Sequence, residues 1–220
     1  MKQDNIAQVA QFWNTIATDF DDIYSGQKSP MARALDRWLR KDMFQRFEWV
    51  IKSADESRPA TVCDVGCGSG RFVAALAKKG VKQVTGVDIA PNMIRLAEQL
   101  VSREQVADRC RFFQSDVLDW KTDERFDMVI AIGFWDYIAD PLPRLRLIRK
   151  LTKNKFLSAW PRLWTWRMPI RKARLAFRGC PVYFFSKPRV YELLNQAGFE
   201  VVSCQTIGKL FCIEARPKTV

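Results

Sequence analysis

Apolar residues near the start of the chain recur every three or four positions, which is the spacing of an amphipathic helix. Ile6, Val9 and Trp13 follow this spacing and predict a helix over residues 5–20. A second helix is predicted over residues 31–51, where tryptophan, leucine and phenylalanine side chains form one apolar face. The chain therefore begins with two helices that need a core to pack against.

A different pattern follows the second helix. The polar run at 53–59 predicts a linker, and beyond it short apolar runs alternate with helical ones. The predicted strands span 61–65, 83–87, 111–114, 126–132 and 155–160. The predicted helices span 71–79 and 142–151, with another that begins at Pro91.

The alternation stops at 161–185, a segment rich in tryptophan, proline and arginine, and then resumes. Ser186 is a favourable N-cap for a helix that Gly198 ends. Strands predicted at 199–206 and 210–215 are close enough in sequence to pair antiparallel. The pattern predicts an α/β fold: a Rossmann-like, doubly wound, seven-stranded and mostly parallel sheet with a C-terminal antiparallel hairpin.

Composition agrees with one compact domain and a modest extension. Of the 220 residues 48% are hydrophobic, with 15 Phe and 8 Trp, so the chain can bury a core and global disorder is excluded. We expect residues 1–57 to form an N-terminal helical cap and residues 58–220 the main domain, with 161–185 as its insertion. The absence of histidine excludes histidine general bases, Ser-His-Asp triads and histidine-ligated metals.

Positive charge is concentrated in one part of the sequence. The formal net charge is +12, and the segment from Pro141 to Tyr191 holds 14 of the 36 basic residues and no acidic one. The rest of the chain carries 22 basic and 24 acidic residues and is nearly neutral. Such a segment is expected to attract phosphate, carboxylate, nucleic acid or an anionic membrane surface. A solvated face that aids solubility is the alternative.

The cysteines, the start of the chain and the length of its apolar runs indicate the cellular compartment. The six cysteines form no CxxC pair, and cysteine in an apolar strand behaves as a small buried hydrophobe. The chain starts with a polar stretch unlike a signal peptide, and no apolar run approaches the roughly 18 residues of a membrane span. We expect a cytoplasmic, metal-free protein, with peripheral contact at an anionic membrane as a further expectation.

A glycine-rich turn follows the first predicted strand. Asp64, Gly66, Gly68 and Gly70 form the pattern D-x-G-x-G-x-G. A dinucleotide fingerprint would need glycine at the place of Arg71, and the P-loop spacing also fails. A carboxylate two residues before the first glycine suits a cationic ammonium group better than a pyrophosphate.

On these residues the sequence resembles the class I S-adenosylmethionine-dependent methyltransferases, whose first motif is an acidic residue followed by GxGxG. The resemblance implies that Asp88, which ends the second strand, binds the ribose hydroxyls. It implies that Asp116, after the third strand, lies near the adenine amino group, and that segment 126–133 is the fourth motif. The implied ligand is S-adenosylmethionine, with S-adenosylhomocysteine as product and no metal. The implied cofactor-binding residues are Asp64, Gly66, Cys67, Gly68, Gly70, Asp88, Ile89, Asp116, Val117 and Ile132.

Candidate catalytic residues follow the fourth strand. Asp136 and Tyr137 are the candidates there. Tyr24 is a third candidate, because the N-terminal segment looks like the helical lid of small-molecule methyltransferases. Trp135 is assigned to the acceptor, with packing under the loop as the alternative. Many relatives carry a histidine near this place, and its absence favours catalysis by proximity with a carboxylate or amine acceptor.

The insertion at 161–185 is expected to shape the acceptor site, because arginine can clamp an acid group and aromatic rings can cover an apolar one. Arg167, Arg171 and Arg174 are the candidate contacts. The sequence predicts a methyltransferase for a small or amphiphilic acidic acceptor, with oxygen slightly preferred over nitrogen, and is similar in layout to magnesium-protoporphyrin O-methyltransferases. Two alternatives stay open: an RNA methyltransferase, although nucleic acid is the less favoured partner, and a non-catalytic protein that binds S-adenosylmethionine or serves as a scaffold. The oligomeric state is open.

Overall fold

The computed structural model describes residues 4–22, 41–163 and 180–219. Within them, seven strands form a single sheet with helices on both sides. The strands are β1 Thr61–Val65, β2 Gln83–Asp88, β3 Cys110–Gln114, β4 Phe126–Ile132, β5 Thr152–Pro161, β6 Phe199–Ile207 and β7 Leu210–Pro217. The helices are α1 Asp4–Asp22, α2 Lys41–Ser57, α3 Arg71–Lys78, α4 Pro91–Arg103, α5 Pro141–Leu151 and α6 Lys187–Gln196. Two 3₁₀ turns span Ala107–Arg109 and Trp135–Tyr137.

The strand order is β3-β2-β1-β4-β5-β7-β6. Strands β1 to β5 pair in parallel, whereas β7 pairs antiparallel with both β5 and β6. The order reverses between β1 and β4, and ligands of open α/β sheets bind at the carboxyl ends of the strands at such a reversal. The predicted mixed sheet with its C-terminal hairpin is confirmed.

Several local predictions are confirmed to the residue. Strands β1 and β4 have the predicted bounds. Every residue of β4 except Asp127 is buried, which explains why its sequence is almost entirely apolar. The Ser186 side chain accepts a hydrogen bond from the Arg189 backbone N–H at 3.4 Å and caps α6, as predicted. These features depend on neighbours in sequence, which is why the pattern identifies them.

The linker predicted at 53–59 is wrong, because α2 continues to Ser57. Ser53 and Ala54 are buried together with Val50, which is the i, i+3, i+4 spacing of a helix face. The Ser57 hydroxyl also donates to the Ser53 carbonyl oxygen at 2.7 Å. Asp55, Glu56 and Ser57 lie on the exposed side of this helix. The start of the helix predicted at 31–51 lies outside the described residues.

Helix α1 packs on α4. The Asn14 side-chain oxygen accepts from the Asn92 backbone N–H at 3.0 Å, and the Asn92 amide donates to the Asn14 carbonyl oxygen at 3.0 Å. Trp13 packs against Met93 and meets the Tyr137 ring edge-on at 5.4 Å. The N-terminal helix is therefore fixed beside the carboxyl ends of the strands. Whether residues 1–57 form a separate cap stays a prediction.

Candidate functional site

A cavity of about 730 Å³ opens at the carboxyl ends of the strands. Its floor comes from the β1–α3 turn and from the ends of β2, β3 and β4, and its walls include residues of α1 and α2. All ten predicted cofactor-binding residues except Asp64 and Gly70 line it directly. The parallel strands thus bring together side chains that lie far apart in sequence.

The glycine turn has a left-handed backbone conformation that residues with a Cβ rarely adopt. Gly66, Gly68 and Gly70 all have positive φ, at 74°, 52° and 76°, a region that glycine enters without steric cost. A Cβ placed on Gly66 would lie 2.8 Å from Cδ2 of Phe134. The Gly66 N–H donates to the Val87 carbonyl oxygen at 2.8 Å, so the turn is tied to β2. Gly66 and Gly68 therefore bring backbone without a side chain to the cavity floor.

Asp64, next to the cavity-lining Val65 and Gly66, is the candidate partner for a cationic group of a ligand. Its side chain is buried, with 1% of the residue exposed, and its Oδ2 atom has no hydrogen-bond partner among the described residues. Burial, and then the nearby charge of Asp88, raise the pKa of the Asp64 carboxyl to about 8. An unpaired buried carboxylate is costly, and an ammonium group supplied by a ligand would satisfy it.

Asp88 joins the glycine turn to the start of α4. Its Oδ2 accepts from the Gly68 N–H and its Oδ1 from the Ala90 N–H, both at 2.9 Å. Burial raises the pKa of the Asp88 carboxyl, and these backbone donors partly oppose the shift. Each carboxylate oxygen has a second lone pair, so Asp88 can still accept from two hydroxyls of a ligand. This is the arrangement that a ribose requires.

Asp116 follows β3 and is already engaged. Its Oδ2 lies 2.6 Å from Nη2 of Arg144, and its Oδ1 accepts from the Leu118 N–H at 3.0 Å. Both charged side chains line the cavity. The sequence predicts the place of Asp116, but it assigns Arg144 only to the basic segment, because α5 is distant along the chain.

The segment after β4 brings its predicted catalytic residues to the cavity. Asp136 and Tyr137 both line it, and Asp136 is buried. Phe134 lines it as well, beneath the glycine turn. These positions are compatible with contact to a reacting group, and the catalytic assignment stays a prediction.

Trp135 does not reach the cavity, so its assignment to the acceptor is wrong. The residue is 0% exposed, and its ring stacks on Trp160 with centroids 4.3 Å apart and an angle of 6° between the planes. The 3₁₀ turn after β4 rotates this side chain toward the core under the loop while its neighbours face the cavity. The packing alternative describes it correctly.

The predicted residues Tyr24, Arg167, Arg171 and Arg174 lie outside the described residues. The two ends of the insertion are nevertheless anchored beside the site. The Leu163 N–H donates to the Phe185 carbonyl oxygen at 3.0 Å, and the Tyr183 N–H donates to the Asp136 carbonyl oxygen at 2.8 Å. The described residues on either side of 164–179 are therefore joined to each other and, through Tyr183, to the candidate catalytic segment.

The basic segment is not a single patch where the structure describes it. Arg144, Lys153, Lys155 and Arg189 each form an ion pair with an acidic residue, and Arg149 donates to two backbone carbonyl oxygens. Four of the nine basic residues that the structure describes in this segment are thus paired with an acidic side chain. The attraction of an anionic partner to this segment stays a prediction.

Sequence reasoning missed Arg46, a cavity residue on α2. A Cβ placed on Gly133, directly after β4, would lie 3.7 Å from Nη1 of Arg46. The guanidinium therefore lies over the carboxyl end of β4. Its helix is amphipathic and its sequence gives no signal that distinguishes this arginine from a solvated one.

The cavity fits S-adenosylmethionine. The orphaned Asp64 oxygen matches an ammonium group, the carboxylate of Asp88 matches a ribose, and the side-chain-free turn lets a ligand approach the backbone. Across the described ranges we find no group of three or more cysteine, aspartate and glutamate side chains that could hold a metal ion. No helix in those ranges is long and apolar enough to cross a bilayer.

The sheet order and the site define the Rossmann-like fold of methyltransferases. A family described as a methyltransferase domain matches residues 56–198. The chain belongs to this family of methyltransferase domains. Its fold is that of solved S-adenosylmethionine-dependent methyltransferases of class I.

Similar proteins extend this comparison. The magnesium protoporphyrin IX methyltransferase of Synechocystis PCC 6803, crystallised with S-adenosylhomocysteine, superposes with a TM-score of 0.79 at 18% identity over 96% of this chain and 98% of that chain. A demethylmenaquinone methyltransferase of Porphyromonas gingivalis is 33% identical over 135 residues, 59% of this chain and 50% of that protein. A ribosomal protein L11 methyltransferase of Pasteurella multocida is 38% identical over 107 residues, 48% of this chain and 34% of that protein. The chain thus spans half or less of the length of these two curated relatives.

Cofactor binding is expected to depend on pH through Asp64. The carboxyl has a pKa of about 8 in the free protein and must be ionised to pair with an ammonium group, so binding releases a proton below that pH. The dissociation constant of S-adenosylhomocysteine should rise about tenfold for each pH unit below this value. Calorimetry in buffers of different ionisation enthalpy measures the affinity and the released proton together. A constant affinity across this range, with no proton release, would contradict the role of Asp64.

Proposed function

We propose that this protein transfers the methyl group of S-adenosylmethionine to the acid group of a small amphiphilic molecule, on oxygen in preference to nitrogen. The observation that carries the proposal is Arg46, whose guanidinium lies over Gly133 at the carboxyl end of β4. It brings a positive charge to the end of the cavity where Asp136 and Tyr137 also lie. A carboxylate that arrives there is attracted and oriented.

In this proposal the cavity floor holds the cofactor. Asp64 pairs with its ammonium group, Asp88 accepts from its ribose hydroxyls, and Asp116 accepts from its adenine amino group. When bound, S-adenosylmethionine supplies a methyl group on a positively charged sulfur. The glycine turn and Phe134 bring the protein close around it and exclude water.

The chain's own residues need not remove a proton from a carboxylate acceptor, because that acceptor is already ionised at neutral pH. Catalysis then rests on bringing the two partners into line, which can lower the barrier by several kcal/mol, up to roughly 7–11 in favourable cases. In this proposal Asp136, Tyr137 and Tyr24 orient the acceptor, and the first two line the cavity. The absence of histidine agrees with a reaction that requires no general base.

Apolar side chains support the amphiphilic part of the proposal. The walls of the cavity above the glycine turn are formed by two helices, and their apolar lining residues are Ile6, Val9, Phe12, Trp13 and Ile16 of α1 and Met43, Phe44 and Phe47 of α2. Such a lining favours an acceptor with an apolar ring or chain beside its acid group. The magnesium protoporphyrin IX and demethylmenaquinone methyltransferases are named for acceptors of large ring systems. We propose an acceptor with a ring system for this chain as well. Arg167, Arg171 and Arg174 are proposed to contact its acid group.

A labelled methyl group tests the proposal. The purified protein is incubated with deuterated-methyl S-adenosylmethionine and a small-molecule extract, and mass spectrometry searches for products that carry the label. The expected product is a small acid that loses its negative charge when it is methylated. Arg46→Met should reduce the yield, whereas the exposed neighbour Gln45→Met should not. A parallel incubation contains total RNA in place of the extract. Label found only in that RNA, with binding that weakens steeply as salt rises, would favour the RNA alternative and contradict the proposal.

A further inference from the structure

Arg144 occupies an energetically unfavourable position. It lies in the first turn of α5, where the unpaired backbone N–H groups give the helix a partial positive charge that disfavours a cation. Its side chain is only 8% exposed, so the guanidinium has also lost most of its hydration. Because the helix charge and the loss of hydration both disfavour a guanidinium here, a favourable interaction is expected to offset them.

The compensation comes from Asp116, whose side chain is 11% exposed. Arg144 Nη2 lies 2.6 Å from Asp116 Oδ2, and the Leu118 N–H fixes the other carboxylate oxygen at 3.0 Å. The Asp116 carbonyl oxygen accepts from the N–H groups of Asp119 and Trp120, both at 3.0 Å. The carboxylate is therefore fixed in place by contacts to its side chain and to its backbone.

This pair faces the cavity, and its hydrogen bonds are incomplete. Asp116 and Arg144 both line the cavity beside Ser115 and Val117, and Arg144 Nε is buried with no partner among the described residues. An ion pair that served only to join α5 to the β3–β4 loop could be replaced by apolar side chains at little cost. Because the pair lies at the cavity wall, the acceptor lone pairs of Asp116 that these contacts leave free are available to a ligand.

We infer that Arg144 is a positioning residue that holds Asp116 where its carboxylate can accept a hydrogen bond from the cofactor's base. The site would then select a base with an amino group over one with a carbonyl oxygen at that place. The inference rests on the proposed use of S-adenosylmethionine and adds a specificity determinant to it. A carboxylate held by Arg144 only accepts hydrogen bonds, so an adenine amino group is bound. A carbonyl oxygen at the same place meets a fixed acceptor and is rejected. Arg144 itself does not touch the base.

The test compares S-adenosylhomocysteine with S-inosylhomocysteine, which has a carbonyl oxygen in place of the amino group. Calorimetry measures the dissociation constant of each for the wild type, Arg144→Met and Arg144→Lys. We expect the wild type to prefer S-adenosylhomocysteine by about 100-fold, since a mispaired buried polar group costs 1–3 kcal/mol or more. Arg144→Met should reduce the preference below about tenfold by weakening S-adenosylhomocysteine alone. Arg144→Lys, which keeps the charge without the planar fork, should fall between them.

The ratio of the two affinities separates positioning from a merely structural role. If Arg144 only stabilised the loop, both ligands would weaken equally and the preference would be unchanged, which would overturn the inference. Arg146→Met, an exposed change in the same helix, is the matched control and should leave the ratio at the wild-type value. If Arg144→Met does not fold, the same comparison is made with Arg144→Lys, for which an unchanged ratio overturns the inference. A wild type that binds neither ligand would instead overturn the proposed function, and this inference with it.

Discussion

Replacing Asp64 with asparagine is expected to weaken the binding of S-adenosylhomocysteine by at least about 100-fold. The carboxylate is buried and its Oδ2 has no partner within the described residues, so an ammonium group of the ligand would be its counter-charge. Asparagine has nearly the same shape but carries no charge and places an N–H₂ donor where an acceptor is needed. Loss of one member of a buried charge pair typically costs about 2–5 kcal/mol.

Calorimetry on the folded variant measures this effect. Asp108→Asn is the matched control, because the Asp108 side chain is 75% exposed and lies on the 3₁₀ turn before β3. Asp64→Asn should also remove the pH dependence of binding described above. An affinity within threefold or so of the wild type would mean that Asp64 does not pair with the ligand's cation, because that change corresponds to only about 0.65 kcal/mol.

Replacing Gly70 with alanine is expected to destabilise the protein by about 3 kcal/mol, through backbone strain and overpacking together. Gly70 has φ +76°, and a Cβ there would lie 2.7 Å from Cβ and 3.0 Å from Cα of Ala97 on α4. Backbone atoms cannot move aside as the end of a flexible side chain can. The glycine turn and α4 would therefore separate, and the cofactor floor would be distorted.

Gly80→Ala isolates the backbone part of this cost. Gly80 also has positive φ, at +91°, but a Cβ there would meet nothing within 4 Å, so only conformational strain of about 1–2 kcal/mol is expected. Urea denaturation gives the free energy of unfolding of both variants. Equal losses would show that the contact with Ala97 contributes nothing to the requirement for glycine.

The parts of the site that the sequence predicts are those in which local pattern and ligand chemistry coincide. A strand that ends in a glycine turn limits the backbone, so the position of Gly66 at the cavity can be predicted without a structure. The position of Asp88 can be predicted in the same way, because β2 runs parallel to β1 and its carboxyl end lies at the same edge of the sheet. The Rossmann-like sheet follows from the alternation of apolar runs for the same reason.

The parts that the sequence does not predict depend on the angle of one element against another. Arg46 and Arg144 lie on helices whose sequences predict only which face is buried, and both reach the cavity by tertiary packing. Trp135 is adjacent to two cavity residues, yet the 3₁₀ turn directs it to the core. Three ion pairs of the basic segment are also beyond the sequence pattern, because their acidic partners Asp116, Asp127 and Glu214 come from remote strands and loops.

The chemistry of the transferred methyl group tests the central claim most directly. The protein is supplied with S-adenosylmethionine that carries a radioactive methyl group and with the acceptor fraction, and the isolated product is treated with mild alkali. A methyl ester is hydrolysed under these conditions, so the account predicts that the label is released as volatile methanol. Label that stays bound to the product after alkali would show an ether or an N-methyl group and would contradict methylation of a carboxylate.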